Sequence, residues 1–133
     1  ESMEEQYGEN RDAGREYLAN KAREDGIVAT GSGLLYRVIK EGKGAKPTAT
    51  DNVRVNYRGS LIDGTVFDES TKPITLSLSS VIEGWTEALQ LMNVGSKYEL
   101  FIPYELGYGD SNNGIIKPYS ALIFEVELVD IEK

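Results

Sequence analysis

The chain has 133 residues, 40% of them hydrophobic and 27% charged, which is typical of one compact globular domain with at most one additional element. It contains neither cysteine nor histidine, which excludes disulfides, thiolate or histidine catalysis, and zinc sites built from those residues. A net charge of −8 argues against a surface that binds nucleic acid, because such surfaces cluster Lys and Arg. No apolar run is long enough to span a membrane and no signal-peptide pattern occurs, so we expect neither in this sequence.

Charged and helix-forming residues dominate the beginning of the chain, where large apolar side chains are few. This composition predicts a solvated helix over 12–25 that is frayed before residue 12 and ends at Gly26. Gly8 and Gly14 lie in the first half of the charged segment 4–25. Each lowers helix stability there by about 1 kcal/mol. Two interpretations stay open: the helix is a terminal arm, or it is the end of a longer helix that leads to a dimerisation segment outside this sequence.

After a linker of small residues at 29–33, apolar and polar residues alternate in several segments, which is the pattern of half-buried strands. Asp63-Gly64 is a hairpin signal that leads back into a strand around Phe67. In the strand at 97–102, Tyr98, Leu100 and Ile102 are predicted to face one side, and Lys97, Glu99 and Phe101 the other. The predicted strands lie at 34–40, 53–58, 74–78, 97–102 and 122–128, and loops rich in glycine lie at 41–51 and 103–120.

One amphipathic helix is predicted between the third and fourth of these strands. Ser80 and Glu83 have the spacing of a capping box at its start, and Gly95 is placed to close it. Gly84 costs helix stability, so we expect another element to approach closely there. The apolar face consists of Val81, Trp85, Ala88, Leu89 and Met92. The elements together predict an α+β domain, in which an antiparallel sheet of five or six strands packs against one short helix.

Three stretches place aromatic residues where they favour a binding site. Tyr57 and Phe67 lie on strands joined by the hairpin, and Asp68 directly follows Phe67. Trp85 lies at the helix start and faces the sheet. The loop at 103–120 is long for a compact domain and offers apolar side chains, namely Tyr104, Tyr108, Ile115 and Ile116. Core packing explains any one of these residues, but as a set they predict an apolar cup with few polar groups.

Other motifs are weak. Asp110-Ser-Asn-Asn-Gly superficially matches a calcium loop, but its glycine comes one place early and Ala121 stands where the last ligand belongs. Gly42-Lys-Gly44 has no phosphate-loop continuation. Asp63 belongs to a turn, so the nearby carboxylates do not form the pair that a glycosidase needs. The sequence therefore predicts no metal site and no cofactor.

Four motifs carry a resemblance to a known family. VNYRGSLIDGTVFDES (55–70), VIEGWTEALQLMNVG (81–95), a PxxLGYG loop (103–109) and the closing ALIFEVELVDI (121–131) resemble the FKBP-type peptidyl-prolyl cis-trans isomerases, and the resemblance covers residues 34–133. The preceding NKAREDGIVATGSGLLYRVI is similar to the Mip-like bacterial subfamily. In that subfamily a long helix joins an N-terminal dimerisation region to the catalytic domain. The resemblance implies an N-terminal helical extension at 1–30 and an isomerase domain at 31–133.

The resemblance also implies a fold, an activity and a site. The family fold is a curved antiparallel sheet that wraps a short helix, and the family activity is cis/trans rotation of Xaa-Pro bonds. Candidate catalytic groups are the Asp68 carboxylate, the Tyr108 hydroxyl and the Ile82 backbone N–H; the last two would hold substrate carbonyls. Asp68 either contacts the rotating carbonyl, orients Tyr57, or is only a structural acceptor for Tyr57 or Arg58. Candidate substrate-binding residues are Tyr57, Phe67, Ile74, Val81, Trp85, Ile116 and Phe124, with Trp85 as the pocket floor.

This sequence departs from the family pattern at three places. Ile74 stands where many members carry an aromatic wall residue, Lys117 replaces a common proline, and the 109–114 segment is shorter than in well-known members. We expect these departures to bear on substrate preference and macrolide affinity more than on the activity.

The implied partners are proline-containing polypeptides and macrolides of the rapamycin type, with a homodimer through an N-terminal region outside this sequence. The implied location is the bacterial periplasm or outer cell envelope. Two rival functions stay open: a non-catalytic peptide-binding chaperone module on the same fold, and a small β module that binds a sugar or another ligand.

Overall fold

The computed structural model describes residues 2–132, which form a seven-stranded antiparallel sheet and two α-helices. The helices are α1 (Met3–Lys21) and α2 (Glu83–Leu89), and a short 3-10 turn spans Tyr104–Leu106. The strands are β1 (Ile27–Ala29), β2 (Leu35–Lys40), β3 (Asn52–Leu61), β4 (Val66–Glu69), β5 (Ile74–Ser77), β6 (Lys97–Ile102) and β7 (Leu122–Glu132). In this part of the chain neither helix is both long and apolar enough to cross a membrane.

The strand order is β1-β2-β6-β7-β3-β4, with β5 also paired to β3. β3 pairs with β7 along its length, from Asn52 opposite Glu132 to Leu61 opposite Leu122. The other edge of β3 is divided, because β5 pairs with its first half and β4 with its second half. Tyr57 lies where these two pairings separate, and there its N–H donates to Ser70 Oγ at 2.9 Å. The divided edge places Tyr57 beside the space between the sheet and α2.

The core lies between the inner face of the sheet and α2. Fully buried side chains from β3, β6 and β7, such as Val55, Ile102 and Leu128, pack with Ala88 and Leu89 of α2. Each buried Leu or Ile contributes about 1.5–3 kcal/mol relative to an exposed one, so this layer supplies much of the stability. The predicted α+β class, with one short helix against an antiparallel sheet, is confirmed.

Gly84 makes the expected close approach between α2 and the sheet. A Cβ at this position would lie 2.8 Å from Cγ2 of Ile102, which is fully buried on β6. No real side chain fits there without displacing Ile102, because protein interiors are close-packed. Gly84 therefore lets the first turn of α2 rest directly on β6, and the prediction of a close approach is confirmed.

The predicted ends of α2 are wrong. Its N-cap is Ile82, which makes no side-chain capping hydrogen bond, so Ser80 and Glu83 do not form a capping box. Instead, Thr86 Oγ1 donates to the Leu78 carbonyl at 2.7 Å and ties the helix to the chain that leads into it. The helix ends at Leu89, and Gly95, with φ of +96°, serves the turn before β6. Ser80 and Glu83 have the spacing of a capping box, but the hydrogen bond from Thr86 to Leu78 holds the start of the helix instead.

The N-terminal helix is longer and differently placed than predicted. α1 begins at Met3 rather than near residue 12, because Ser2 caps it by accepting from the Glu5 N–H at 3.1 Å. It ends at Lys21 rather than 25, and Gly26, with φ of +83°, turns the chain into β1. β1 was not predicted as a strand; it pairs with β2 and raises the sheet to seven strands instead of five or six.

α1 covers part of the outer face of the sheet. Adjacent residues of a strand point to opposite faces, so Phe101 points away from Ile102 and α2. Phe101 is nevertheless only 2% exposed, and Lys21 Nζ of α1 lies 5.0 Å from its ring centroid. The predicted division of the two faces of this strand is therefore confirmed, and Phe101 is buried on its face beside Lys21 of α1.

Candidate functional site

An open cavity of about 240 Å³ lies between the start of α2, the divided edge of β3, and residues 103–120, here called the pocket loop. Ten residues line it: Tyr57, Phe67, Asp68, Leu76, Ser80, Val81, Ile82, Trp85, Tyr108 and Phe124. The aromatic residues come from β3, β4, α2, β7 and the pocket loop. The tertiary structure thus brings together residues from widely separated parts of the chain.

Four aromatic rings form the base and wall of the cavity. Trp85, which is 4% exposed, meets the rings of Tyr57 and Phe124 edge-to-face at centroid distances of 5.3 and 5.2 Å. Phe67 meets Phe124 in the same way at 5.5 Å. Edge-to-face contacts place the positive ring edge against the negative face of the neighbour, which holds the rings at fixed angles. The cavity surface is therefore apolar and preorganised.

Gly59 makes room for this aromatic wall. A Cβ at this position on β3 would lie 2.7 Å from Cε1 of Phe124 and 2.7 Å from Cζ of Phe67. Any larger residue would push both rings from their positions. The motif around residues 55–70 therefore carries a glycine whose absence of a side chain shapes the cavity.

The polar side of the cavity is a hydrogen bond between two side chains. Tyr57 Oη donates to Asp68 Oδ2 at 2.5 Å. Burial of the phenol and this bond to Asp68 raise the pKa of Tyr57 to about 12, so Tyr57 stays neutral near pH 7. Among the lining residues, all within the described part of the chain, Asp68 is the only charged one, and it is exposed at the rim. The pair adds one negative charge to an otherwise apolar cavity.

Two hydrogen-bond donors of lining residues have no partner in residues 2–132. Ile82 precedes α2 in extended conformation, and its backbone N–H makes no hydrogen bond within the described chain. The Tyr108 hydroxyl likewise has no partner there, while the Tyr108 carbonyl accepts from the Ser111 N–H at 3.1 Å and orders the loop. Groups of this kind can hold the carbonyl oxygens of a bound peptide.

Most of the predicted site residues meet at this cavity. Eight of the ten line it, whereas Ile74 and Ile116 do not. Ile116 belongs to the pocket loop, but its side chain is only 6% exposed and packs into the core, and Ile74 is half-buried on β5 against that core. Their role in substrate binding stays a prediction.

Two lining residues, Leu76 and Ser80, were not predicted as site residues from the sequence. Leu76 lies two residues after Ile74 on β5 and so shares its face. The strand alternation was the signal that could have identified it. No comparable signal marks Ser80.

The described residues contain no group of three or more carboxylate side chains arranged to hold a metal ion. What the site offers is an apolar surface, two free donors and one carboxylate–phenol pair. It can bind a small apolar group, fix neighbouring carbonyls and exclude water from them.

Two family profiles match the sequence. The profile described as FKBP-type peptidyl-prolyl cis-trans isomerase matches residues 43–129, and the profile of the domain amino-terminal to such isomerases matches residues 1–38. The first includes every residue that lines the cavity. Together the two matches span nearly the whole chain.

Several curated proteins are similar in sequence. The FKBP-type peptidyl-prolyl cis-trans isomerase FkpA of Aeromonas hydrophila is 52% identical over 94% of this chain, and the FKBP-type 22 kDa isomerase of Escherichia coli is 53% identical over 89% of it. The outer membrane protein MIP of Legionella longbeachae is 48% identical over 94% of the chain. These matches cover 48%, 59% and 55% of the three relatives, so the chain spans about half of their length.

Two solved structures share the fold throughout. The crystal structure of FkpA from Escherichia coli superposes with a TM-score of 0.93 at 43% identity, over 98% of this chain and 62% of that one. A peptidyl-prolyl cis-trans isomerase from Pseudomonas syringae superposes with a TM-score of 0.91 at 38% identity, over 96% of both chains. From its sequence and its fold, the chain belongs to the FKBP-type peptidyl-prolyl cis-trans isomerases.

Proposed function

We propose that this chain accelerates the cis/trans rotation of Xaa-Pro bonds in polypeptides. The observation that carries the proposal is an open aromatic cavity over Trp85, with free donors at Ile82 and Tyr108 beside it. The cavity suits one proline ring, and the donors suit the carbonyls on either side. Since few contacts extend beyond that ring, we expect broad substrate acceptance among proline-containing chains.

The chemistry requires no bond to break. Rotation of an amide has a barrier of ~18–20 kcal/mol because the planar form is stabilised by charge-separated resonance, which water favours. The twisted transition state has lost that resonance and is less polar. An apolar wall therefore binds the twisted form better than the planar form, which is the condition for catalysis. A thousandfold acceleration requires only about 4 kcal/mol of such preference.

Each polar group has a role in this proposal. The Ile82 N–H and the Tyr108 hydroxyl hold substrate carbonyls, which fixes one side of the bond while the other rotates. Asp68 lines the same cavity and accepts a hydrogen bond from the Tyr57 hydroxyl. It therefore orients the Tyr57 ring in the cavity wall. It assists the reaction without being essential. Ile74 and Ile116 contribute by supporting the cavity from the adjoining core.

We also propose a division of the chain and a cellular setting. Residues 31–133 are the isomerase unit and residues 1–30 an extension that, in the full-length protein, leads to a homodimerisation region. The bacterial periplasm or outer envelope is the proposed location, supported by the relative named as an outer membrane protein. Rapamycin-type macrolides are proposed to occupy the cavity.

A protease-coupled assay on a proline-containing tetrapeptide tests the activity, with and without rapamycin. We expect the chain to accelerate isomerisation and rapamycin to abolish the acceleration. Trp85 is the single tryptophan, so its fluorescence reports occupancy of the cavity in the same samples. Saturable quenching by the peptide without any acceleration would overturn the catalytic proposal and favour the peptide-binding chaperone module instead.

A further inference from the structure

α1 contacts the pocket loop through the partly buried amide of Asn10. The Asn10 side chain donates from Nδ2 to the Pro118 carbonyl at 2.8 Å and to Ser120 Oγ at 3.0 Å. Ser120, which is 8% exposed, in turn donates from Oγ to the Lys117 carbonyl at 2.7 Å. Both N–H groups of the Asn10 amide thereby have an acceptor in the pocket loop, which fixes the orientation of the amide.

The same face of α1 contacts both ends of the pocket loop. The Arg11 guanidinium lies 6.0 Å from the centroid of Tyr119, near the end of the loop, and that of Arg15 lies 5.8 Å from Tyr104, near its start. The two tyrosine rings also meet edge-to-face at 5.1 Å. Cations over aromatic rings are attracted to the ring face. α1 therefore contacts the loop near both of its ends, and no α1 residue lines the cavity.

Close packing of α1 makes this contact specific. A Cβ on Gly14 would lie 3.3 Å from Cβ of Ala121, which directly follows Ser120. Gly14 thus brings the helix axis near the loop, although a glycine at this position costs helix propensity. The low-propensity residue in the middle of α1 has a tertiary reason, which is the approach to residues 118–121.

A short hydrogen-bonded path leads from Asn10 to the cavity. Tyr119, next to the carbonyl that Asn10 binds, donates its N–H to the Gly109 carbonyl at 2.9 Å. Gly109 donates its own N–H to the Tyr104 carbonyl at 2.9 Å. Gly109 directly follows Tyr108, which lines the cavity. Tyr119 also has φ of +65°, a conformation that costs a non-glycine residue about 1–3 kcal/mol and persists only where its surroundings hold it.

We propose that Asn10 is a positioning residue for the isomerase reaction: by holding Pro118 and Ser120, it keeps the strained Tyr119 turn closed on Gly109 and so places Tyr108 over the cavity. This inference rests on the proposed function. The proposal gives α1 a role in shaping the cavity, in addition to any role in connecting the isomerase unit to another region. α1 contributes no lining residue, yet through Asn10 it affects substrate binding.

The test compares Asn10→Asp with Asn20→Asp in the full 133-residue chain. Both substitutions add one negative charge to α1 without changing side-chain size. Only the first removes donors to the pocket loop, because Asn20 interacts with Arg23 at the other end of the helix. We expect Asn10→Asp to lower kcat/KM on the tetrapeptide about fivefold, because both Asn10 donors to the loop are lost and a carboxylate then faces the Pro118 carbonyl oxygen. Asn20→Asp retains the wild-type value.

A double-mutant cycle separates positioning from simple stabilisation. In a Tyr108→Phe background, the hydroxyl that Asn10 is inferred to place is absent, so Asn10→Asp then lowers kcat/KM less than about twofold. An unchanged fivefold loss in that background would show that Asn10 acts elsewhere and would overturn the proposal. Asn10→Ala provides the same comparison if Asn10→Asp does not fold.

Amide hydrogen exchange gives a readout independent of activity. We expect the Tyr119 and Gly109 amides to exchange faster in Asn10→Asp than in the wild type, while the Val55 amide of the core keeps its protection. Equal protection of Tyr119 and Gly109 in both proteins would overturn the proposal. If the wild-type chain shows no isomerase activity, the proposed function fails, and the exchange result still decides whether Asn10 holds the loop.

Discussion

The hydrogen bond from Tyr57 to Asp68 joins a ring of the cavity wall to a carboxylate that is exposed to solvent. Its carboxylate acceptor is exposed at the rim of the cavity, while its phenol packs edge-to-face on Trp85. A charge-assisted hydrogen bond is about twice as strong as a neutral one, so it holds the ring more firmly than packing alone. The pair therefore orders the wall of an apolar cavity with a charge that stays hydrated.

Asp68→Ala tests whether this carboxylate assists or is indispensable. We expect kcat/KM to fall about tenfold, equivalent to ~1.4 kcal/mol, because the Tyr57 ring loses its anchor but the apolar surface and the donors remain. The protease-coupled assay measures it. Tyr57→Phe is the matched variant, since it breaks the same bond from the other side. Complete loss of activity in a folded Asp68→Ala protein would contradict an assisting role.

Trp85→Phe tests the floor of the cavity. The smaller ring removes the surface on which the proline ring is proposed to lie, so we expect weaker peptide binding and about a tenfold lower kcat/KM. Phe is preferred to Ala here, because truncating a buried tryptophan to alanine typically costs about 3–5 kcal/mol and risks unfolding the chain. Urea unfolding monitors stability in parallel. Turnover equal to wild type would argue against this site.

At the scale of elements, contacts between α2 and β6 outweigh the local preferences of the helix. Glycine is a poor helix former, yet Gly84 lies in the first turn of α2 because Ile102 fills the space where a side chain would be. The helix also starts without the capping box that its sequence spacing favours. Both features follow from a helix of only seven residues, which depends on packing rather than on propensity.

Gly84→Ala is therefore expected to destabilise the protein despite alanine's higher helix propensity. Propensity gains up to about 1 kcal/mol. Overpacking against the stiff, β-branched Ile102 costs ~1–3 kcal/mol, so the net change is a loss of roughly 1 kcal/mol. Urea unfolding measures the difference. Gly31→Ala is the control, because nothing lies within 4 Å of a Cβ at that exposed position and no loss is expected. If Gly84→Ala instead stabilised the protein, Ile102 of β6 would be able to move at little energetic cost, contrary to this expectation.

At the scale of the whole molecule, two tyrosines connect stability to alkaline pH. Burial and the bond to Asp68 raise the pKa of Tyr57 to about 12. Burial, the charge of Glu41 and a hydrogen bond to it raise the pKa of Tyr98 to about 12. The two phenols belong to different parts of the structure, one at the cavity and one beneath the stacked ring of Tyr36. Both favour the folded state only while protonated.

We expect stability to fall as pH rises from 10 to 12. In this interval the unfolded chain has released the protons of these phenols near their ordinary pKa of 10, whereas the folded chain still holds them. The contribution is complete below pH 10 and is lost as pH passes the folded pKa of about 12. Because solvent screens these partly exposed phenols, the loss is limited to about 1–2 kcal/mol for each tyrosine. Urea unfolding at a series of pH values measures it. Tyr98→Phe should flatten the decline, and an equally steep decline in that variant would contradict the assignment.

Much of the fold and of the site could be read from local patterns. Alternation of apolar and polar residues encodes which face of a strand is buried, so the strands around Val55, Leu100 and Val126 were predictable. The aromatic cavity followed from the same patterns and from motifs that place Tyr57, Phe67 and Trp85 on elements facing one another. These features depend on side-chain periodicities of two residues in strands and 3.6 residues in helices, which can be recognised within a single segment of the sequence.

Long-range contacts settled the remaining features. The extent of α1, the burial of Phe101 and the shortened α2 all depend on which elements pack together, and no local pattern contains that information. The bond from Asn10 to Pro118 joins residues 108 positions apart, and only packing of α1 on the sheet brings them within 2.8 Å. Local residue preferences are worth fractions of a kcal/mol, whereas a buried contact contributes one or more, so packing prevails wherever the two disagree.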